Sequence, residues 1–319
     1  MHYGLTEWIV FNVFVLAMLA LDLGVFHRKP HAVRFKEAMG WSAAWIALAL
    51  LFNLMILYTH GKQDAQEFLA GYLIEKSLSV DNIFVFIMVF SYFKVDPKYQ
   101  HRVLFWGILS ALILRGIMIG AGAALINRFE WVLYIFGVFL IFTGIKMAVH
   151  KDSTLDPGEL WIVRAFRRLM PVTDGYREKS FFVRENGRIL ATPLFLVLLV
   201  METTDVMFAL DSIPAIFAVT KNAFIVYTSN VFAILGLRSL YFLLAGVMQL
   251  FRYLKFGLAA VLVFVGVKML LGHTAYAIPI GASLATIAGI LVTSIGASII
   301  VGLREKRLIM PPDDPSESP

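Results

Sequence analysis

Apolar stretches long enough to cross a lipid bilayer as helices recur along the chain, with short polar segments between them. A helix needs about 20 mostly apolar residues to span the hydrocarbon core. The predicted spans cover residues 6–26, 40–59, 67–93, 103–126, 131–149, 191–219, 224–250, 256–271 and 277–303. The pattern therefore predicts an all-α polytopic membrane protein with about nine transmembrane helices.

Composition supports this class and excludes several others. Apolar residues make up 59% of the 319 residues and charged residues only 16%, whereas a soluble domain needs roughly a quarter charged. The absence of cysteine excludes disulfides, iron–sulfur clusters and cysteine nucleophiles. The sequence also lacks the glycine-rich and serine motifs that bind nucleotides or perform nucleophilic catalysis. We therefore expect neither enzymatic activity nor a prosthetic group.

Basic residues are distributed unevenly between the two sides of the predicted membrane. Alternating loops and the tail on one side carry 20 Lys and Arg residues, while the other side carries only Lys62, Arg128 and Lys221. The positive-inside rule therefore predicts that the N-terminus lies outside and the C-terminus in the cytoplasm. The net charge of +6 is thus a topology signal, and we expect the bilayer, with no nucleic acid, as partner.

The order of spans and loops predicts six regions. They are two N-terminal spans (1–66), a three-span unit (67–149), a cytoplasmic loop (150–190), a second three-span unit (191–273), a last span (277–303) and a disordered cytoplasmic tail (304–319). Within the loop, residues 160–170 have basic residues on one face, which is typical of an interfacial helix, and the alternative is that the segment serves only topology and packing. Residues 181–191 predict a hairpin around Asn186-Gly187.

The two three-span units resemble each other at three points in the same order. The matching sets are Glu75-x5-Asp81-Asn82-Ile83 with Asp205-x5-Asp211-Ser212-Ile213, Ile113-Leu114-Arg115 with Gly236-Leu237-Arg238, and residues 142–147 (FTGIKM) with 264–269 (FVGVKM). Because each unit has an odd number of spans, the second is expected to be inverted, as in many secondary transporters. The equivalent lysines Lys146 and Lys268 lie near span ends and are expected to snorkel toward the interface.

Five acidic residues fall well inside predicted spans. A charged side chain at the bilayer centre costs about 2.5–3.5 kcal/mol on insertion scales, and such residues mark functional sites. We take these five as candidate ligands of one metal site near the midplane: Glu75, Asp81, Glu202, Asp205 and Asp211. The alternative is that they only neutralise basic side chains between helices.

Further polar residues at similar depth complete the candidate site. Lys76, Arg115 and Arg238 are expected to balance part of the acidic charge, and the remainder of about −2 suits one divalent cation. Amide and hydroxyl oxygens come from Asn82, Ser212 and Asn230. With no cysteine and no histidine deep in a span, this oxygen-rich set suits Mn²⁺, Mg²⁺ or Ca²⁺.

The spacing of the acids also predicts broken helices. Residues six apart lie about 240° apart around an ideal helix, so Glu75 and Asp81 do not share a face. Pro214 follows Asp211 by three residues and removes a backbone donor. We therefore expect a discontinuity near 209–214 and a weaker one near 75–82, which would let the carboxylates converge.

Two acidic segments carry a family resemblance. Residues 71–90 (GYLIEKSLSVDNIFVFIMVF) and 200–220 (VMETTDVMFALDSIPAIFAVT) resemble the paired motifs of the TerC family of integral membrane proteins. The similarity continues through 228–244 (TSNVFAILGLRSLYFLL) and 264–269 and covers roughly residues 40–300. Within the family the chain is most similar to the Alx branch, whose members are proposed manganese exporters.

The resemblance implies a bacterial inner-membrane protein of metal-ion homeostasis, in a family named for tellurium resistance. It also implies that the five acids named above are the family's intramembrane acidic residues. We therefore expect an exporter of a divalent cation, most of all Mn²⁺, that works by alternating access with protons as the possible coupling ion. Two alternatives stay open: a scaffold without transport of its own and, more remotely, a membrane-embedded metalloenzyme.

Overall fold

The protein is helical, apart from one hairpin, in every part that can be described. The computed structural model describes residues 3–24, 35–149, 161–185, 187–245, 254–272, 274 and 276–309. Its elements are α1 (Leu5–Gly24), α2 (Phe35–Thr59), α3 (Lys62–Tyr92), α4 (Pro97–Arg128), α5 (Val132–Val149), α6 (Trp161–Leu169), β1 (Phe182–Glu185), β2 (Arg188–Ala191), α7 (Pro193–Phe217), α8 (Ala223–Leu235), α9 (Leu237–Ala245), α10 (Leu254–Leu271) and α11 (Ile280–Ile309).

These helices make the chain a polytopic membrane protein. Among the described residues, α2, α4, α5, α7, α10 and α11 are long and apolar enough to cross a membrane, and the bent pair α8–α9 makes a seventh candidate. The apolar part of α1 (Leu5–Ala20) is shorter, and α3 carries Glu75, Lys76 and Asp81 in its middle. Each predicted span coincides with a helix or a helix pair, but the count of nine membrane crossings stays a prediction.

The prediction of broken helices near the acids is wrong. Both α3 and α7 run without interruption past their acidic residues. Pro214 lies only three residues before the end of α7, so its missing donor affects the last turns and the helix continues to Phe217. The one break in a described span is at Gly236, where α8 and α9 meet with a bend of 41°.

Close backbone contacts fix the directions of the helices. A Cβ built on Gly137 would lie 3.1 Å from the carbonyl oxygen of Gly266, and one on Gly144 would lie 2.8 Å from that of Ala259. The later glycine of α5, Gly144, therefore contacts the earlier position of α10, Ala259. The two helices are antiparallel. Only glycine permits such an approach of two backbones.

The helices α3 and α7 are antiparallel as well. Near the start of α3, a Cβ on Gly71 would lie 3.2 Å from Cγ2 of Ile216, near the end of α7. Further along α3, the amide of Asn82 lies 3.5 Å from Oδ1 of Asp205, nearer the start of α7. We call the end of the bundle where α3 begins the Gly61 end, and the opposite end, where α4 begins, the Asp96 end.

The segment between α5 and α7 is folded onto the Asp96 end. The predicted interfacial helix is α6, and the predicted hairpin is the antiparallel pair β1–β2, with Gly187 at φ 78°. Val163 of α6 is fully buried, and the hydroxyl of Tyr176 donates a hydrogen bond of 2.6 Å to the carbonyl of Phe93. Burial raises the pKa of Tyr176 to about 12, so this phenol stays a neutral donor.

Several predictions fall on residues outside the described ranges. They concern the end of the tail, the first part of the central loop (150–160), the hairpin residue Asn186 and the last residues of the seventh predicted span.

Candidate ion site

The guanidinium of Arg115 lies at the centre of the polar cluster between α3, α4 and α7. Its Nη1 contacts Oε1 of Glu75, its Nη2 donates to Oδ1 of Asp205 at 2.7 Å and its Nε donates to Oδ2 of Asp205 at 3.2 Å. The amide of Asn230 donates to the second Glu75 oxygen at 3.0 Å. One arginine thus joins acids from the two predicted repeat units.

The planar fork of arginine explains how one side chain reaches both acids. Arg115 stands in the middle of α4, and its side chain is only 2% exposed. Its five donors have fixed directions and can bind a carboxylate through two parallel bonds, as they do with Asp205. A buried ion is tolerable when it is paired and its remaining hydrogen bonds are made. Unbroken helices therefore suffice to join these acids.

A small cavity lies beside this ion-pair cluster. Its volume is about 10 Å³, enough for a single water molecule or ion. Two of its wall atoms, Oδ1 of Asn82 and Oγ of Ser212, are buried and have no hydrogen-bond partner among the described residues. We call it the Asp211 cavity. Its lining consists of Glu75, Leu78, Asp81, Asn82, Arg115, Met147, Phe208, Asp211, Ser212 and Leu262.

The carboxylates of this cavity come from opposite sides. Asp81 belongs to α3 and Asp211 to α7, the pair that runs antiparallel. Asp211 also interacts with the hydroxyl of Thr143 and with the ammonium of Lys146, both on α5. Glu75 and Asp81 border the same cavity although they are six positions apart on an unbroken helix.

A second cavity of similar size lies nearer the Asp96 end. Its wall includes Glu202, Asp205, Gly107 and Met201, and the rest is apolar. The hydroxyl of Ser110 donates to Oε1 of Glu202. The other oxygen, Oε2, is buried and has no hydrogen-bond partner among the described residues. We call this space the Glu202 cavity.

The structure therefore brings the five predicted acids into one region but divides them. Glu75 and Asp205 share Arg115, Glu202 borders one cavity, and Asp81 and Asp211 border the other. Within the described residues no three acidic or histidine side chains are grouped closely enough to hold a metal ion. Convergence of all five on one ion stays a prediction.

The remaining predicted residues lie around this centre. Asn82, Ser212 and Asn230 are buried within it. The ammonium of Lys76 donates to the carbonyl of Ala233 at 3.3 Å, close to the break at Gly236. Arg238 is buried in α9.

Sequence reasoning missed Ser110 and Thr143. Neither carries a charge, and a hydroxyl in an apolar helix usually bonds its own backbone, as Ser110 also does with the carbonyl of Trp106 at 2.7 Å. Thr143 had one available signal, since it stands three residues before the lysine of the repeated FTGIKM motif. Its equivalent in the second unit is Val265, which gives no hint of a polar role.

A helical bundle whose buried polar centre joins acids from antiparallel helices defines an integral membrane protein with an intramembrane ionic site. The particular family follows from comparison with known proteins. The chain belongs to the TerC family: the family described as "Integral membrane protein TerC family" matches residues 60–307.

Relatives extend over nearly the whole chain. A protein of Myxococcus xanthus, described only as an uncharacterized membrane protein, is 57% identical and covers 92% of both chains. Alx of Salmonella typhi, described as a candidate membrane-bound redox modulator, is 51% identical over 94% of this chain and 96% of its own. Alx of Escherichia coli K12 is 52% identical over 89% and 91%. No solved structure matches the chain.

Proposed function

We propose that the protein exports a divalent metal cation, most of all Mn²⁺, and that the Asp211 cavity is its intramembrane binding site. The observation that carries this proposal is the pair of orphaned oxygens, Asn82 Oδ1 and Ser212 Oγ, in an ion-sized space. Buried polar atoms normally have partners. An oxygen without one, next to carboxylates, suits a hard cation that the oxygen would coordinate.

The charge of the cavity wall also suits a divalent ion. Its ionisable members are the carboxylates of Glu75, Asp81 and Asp211 and the guanidinium of Arg115. With all four ionised, the wall has a formal charge of −2, which a doubly charged cation would cancel. Arg115 and Asn230 would then orient Glu75, and Asp205 would hold Arg115 in place.

The types of donor atom favour manganese. Carboxylate, amide and hydroxyl oxygens suit Mn²⁺, Mg²⁺ and Ca²⁺, whereas thiolate and imidazole ligands suit zinc and copper. The thioether-bearing Met147 borders the same cavity. A sulfur beside oxygen ligands favours Mn²⁺, because it is the softest of these three ions. No prosthetic group and no enzymatic step form part of this proposal.

Alternating access between two inverted three-helix units would move the ion. The units are α3–α5 and α7 with α8–α10, and in support the equivalent pairs α3–α7 and α5–α10 are antiparallel. Inverted repeats bind substrate at their interface near the midplane. Since no nucleotide-binding motif is present, we propose an ion gradient, with protons as coupling ion, as the energy source.

We assign the protein to the bacterial inner membrane with its N-terminus periplasmic. The Asp96 end, where the basic loop before α4 and the α6–hairpin segment lie, is then cytoplasmic, and the Gly61 end is extracytoplasmic. The Glu202 cavity would accordingly be the part of the polar centre that faces the cytoplasm.

The direct test is Mn²⁺ uptake into inverted membrane vesicles. Export from the cytoplasm appears there as accumulation, which Asp211→Asn should abolish at unchanged protein level. Asp174→Asn, the same change at an exposed residue of the segment before the hairpin, is the matched control. Equal uptake by wild type and Asp211→Asn would refute the site, and no uptake by wild type would refute the function.

A scaffold without transport is the second candidate. It is favoured by two large apolar side chains of α6 that are exposed on the Asp96 end, Trp161 and Leu169. In that case Asp81→Asn would destabilise the protein and leave cellular manganese unchanged. Deletion of residues 161–185 would release a bound protein. The relatives' description as a redox modulator would then concern a partner, because this chain has no cysteine of its own.

A further inference from the structure

A wide polar cavity opens at the Gly61 end of the bundle. Its volume is about 470 Å³, room for on the order of ten water molecules at about 30 Å³ each. It is bordered by the start of α3, the ends of α7 and α10 and the start of α11. We call it the exit cavity. Its polar wall residues are Gln63, Glu67, Thr220, Lys221 and Lys268.

Lys268 has an unusual position in this cavity. Its side chain belongs to the last turn of α10 and is only 8% exposed, so it does not extend to the surface as a snorkelling lysine would. Among the described residues, no carboxylate lies within ion-pair distance of its ammonium, and Glu67 is the acid whose charge acts on it. Glu67 itself accepts a hydrogen bond of 2.9 Å from Gln63.

The second lysine of the cavity differs in one respect. Lys221 is about half exposed and pairs with Glu130 at 3.1 Å. Its charge is therefore already matched at the surface. The ammonium of Lys268 is thus the cation of this cavity that has no partner of its own within the described residues.

Apolar side chains separate the exit cavity from the Asp211 cavity. One continuous cluster of buried residues contains wall residues of both, Leu78 and Leu262 on one side and Phe217 and Met269 on the other. An ion that leaves the Asp211 cavity toward the Gly61 end would have to pass this layer. It would then enter water next to Glu67.

We propose that the exit cavity is the extracytoplasmic release site of the exported cation and that Lys268 keeps Glu67 from retaining it there. A carboxylate in a wet cavity binds a divalent cation, and a fixed ammonium close by opposes that binding through repulsion of like charges. The cavity would then release the ion even when the metal outside is plentiful. This inference rests on the proposed function and on the orientation given with it.

The test is inhibition of transport by metal on the release side. Inverted vesicles are loaded with increasing Mn²⁺, and the initial rate of further Mn²⁺ entry is measured at each internal concentration. With Lys268→Met, the internal concentration that halves the rate should fall by about two- to fivefold, the range that the strength of solvent-exposed ion pairs corresponds to. Lys268→Arg keeps the charge and should behave as wild type, and Lys221→Met is the matched control in the same cavity.

Glu67→Gln keeps the test decisive if Lys268→Met is poorly folded, because without the retaining carboxylate the internal concentration that halves the rate should rise. Glu67→Gln combined with Lys268→Met removes both the retaining group and the opposing charge, so its inhibition curve should return to that of wild type. Unchanged inhibition in a folded Lys268→Met protein, or no recovery in the double variant, would overturn the inference. Either result leaves the proposed function intact, provided that wild type transports Mn²⁺.

Discussion

Arg115 decides whether the polar centre is stable. Among the described residues it is the one side chain that bonds both Glu75 and Asp205, and all three side chains are buried. The acids come from helices that are far apart in the sequence. The arginine therefore links the two predicted repeat units as well as balancing charge.

Replacement of Arg115 by glutamine should destabilise the protein strongly. Removal of one partner of a buried ion pair leaves an uncompensated charge and costs about 3–5 kcal/mol. Thermal unfolding in detergent would measure the loss. Lys221→Met, which breaks the exposed pair with Glu130, should cost at most about 1 kcal/mol. Similar losses from both variants would contradict the central role of Arg115.

Ser212→Ala should separate ligand binding from folding. The buried hydroxyl has no partner in the described structure, so its removal should leave the unfolding temperature unchanged or slightly higher. If the oxygen is a metal ligand, the KM for Mn²⁺ should rise at the same time. Ser239→Ala, whose hydroxyl bonds the carbonyl of Gly236 at 3.0 Å, is the control in the same kind of environment. An unchanged KM would remove Ser212 from the ligand set.

Individual charges were the part of the site that could be predicted from sequence. An acid or arginine inside an apolar span is visible at once, because its cost in hydrocarbon demands an explanation. Which acid binds Arg115 depends on helix packing, and so does the division of the five acids between two cavities. Ser110 and Thr143 were not predicted for a different reason. A neutral hydroxyl costs little in a helix, so its presence in an apolar span gives no signal of a functional role.

At the scale of elements, a glycine marks the bend in a helix, whereas the proline in α7 does not break its helix. Pro214 suggested a break, yet one missing donor close to the end of α7 does not interrupt the helix. Gly236 marks the actual bend. Its conformation is ordinary, with φ −83°, but a Cβ there would lie 2.7 Å from the ammonium of Lys76. Only a packed structure reveals this kind of crowding.

The contact between α5 and α10 should be sensitive to a single methyl group. A Cβ on Gly266 would lie 2.6 Å from the carbonyl oxygen of Gly137, and backbone atoms cannot move aside as a side chain can. Gly266→Ala should therefore cost about 1–3 kcal/mol of stability, as overpacking does. Gly289→Ala on α11, where no atom lies within 4 Å of the added methyl, should be neutral or slightly stabilising. Equal stability of both variants would contradict the close crossing.

At the scale of the molecule, the fold class could be predicted from hydropathy alone, because only helices satisfy their backbone within lipid in such a sequence. The order of the helices followed from the same pattern, whereas the helix and the hairpin of the central loop were indicated by the basic face of residues 160–170 and by the turn residues Asn186-Gly187. The relative directions of the packed helices could not be predicted, because they depend on which glycines contact each other in the folded protein. The number of membrane crossings depends on whether α1 and α3 span the bilayer.

The proposed orientation can be tested because the chain has no cysteine. Lys179→Cys on the Asp96 end should react with a membrane-impermeant maleimide only in inverted vesicles. Lys62→Cys on the Gly61 end should react only in right-side-out vesicles. Both positions are exposed, so failure to react would not follow from burial. The reverse labelling pattern would place the Gly61 end in the cytoplasm. It would also reverse the proposed direction of transport.

The glycine crossing of α5 and α10 has one more consequence. These helices belong to different predicted units, and their backbones touch where no side chain can yield, so in the proposed alternating access that point would be the fulcrum. If the units rock as proposed, distances across this contact should stay constant while distances at the two ends of the bundle change in opposite senses. The exit cavity would then narrow while the proposed cytoplasmic end of the bundle widens. This single rigid contact would couple the two movements.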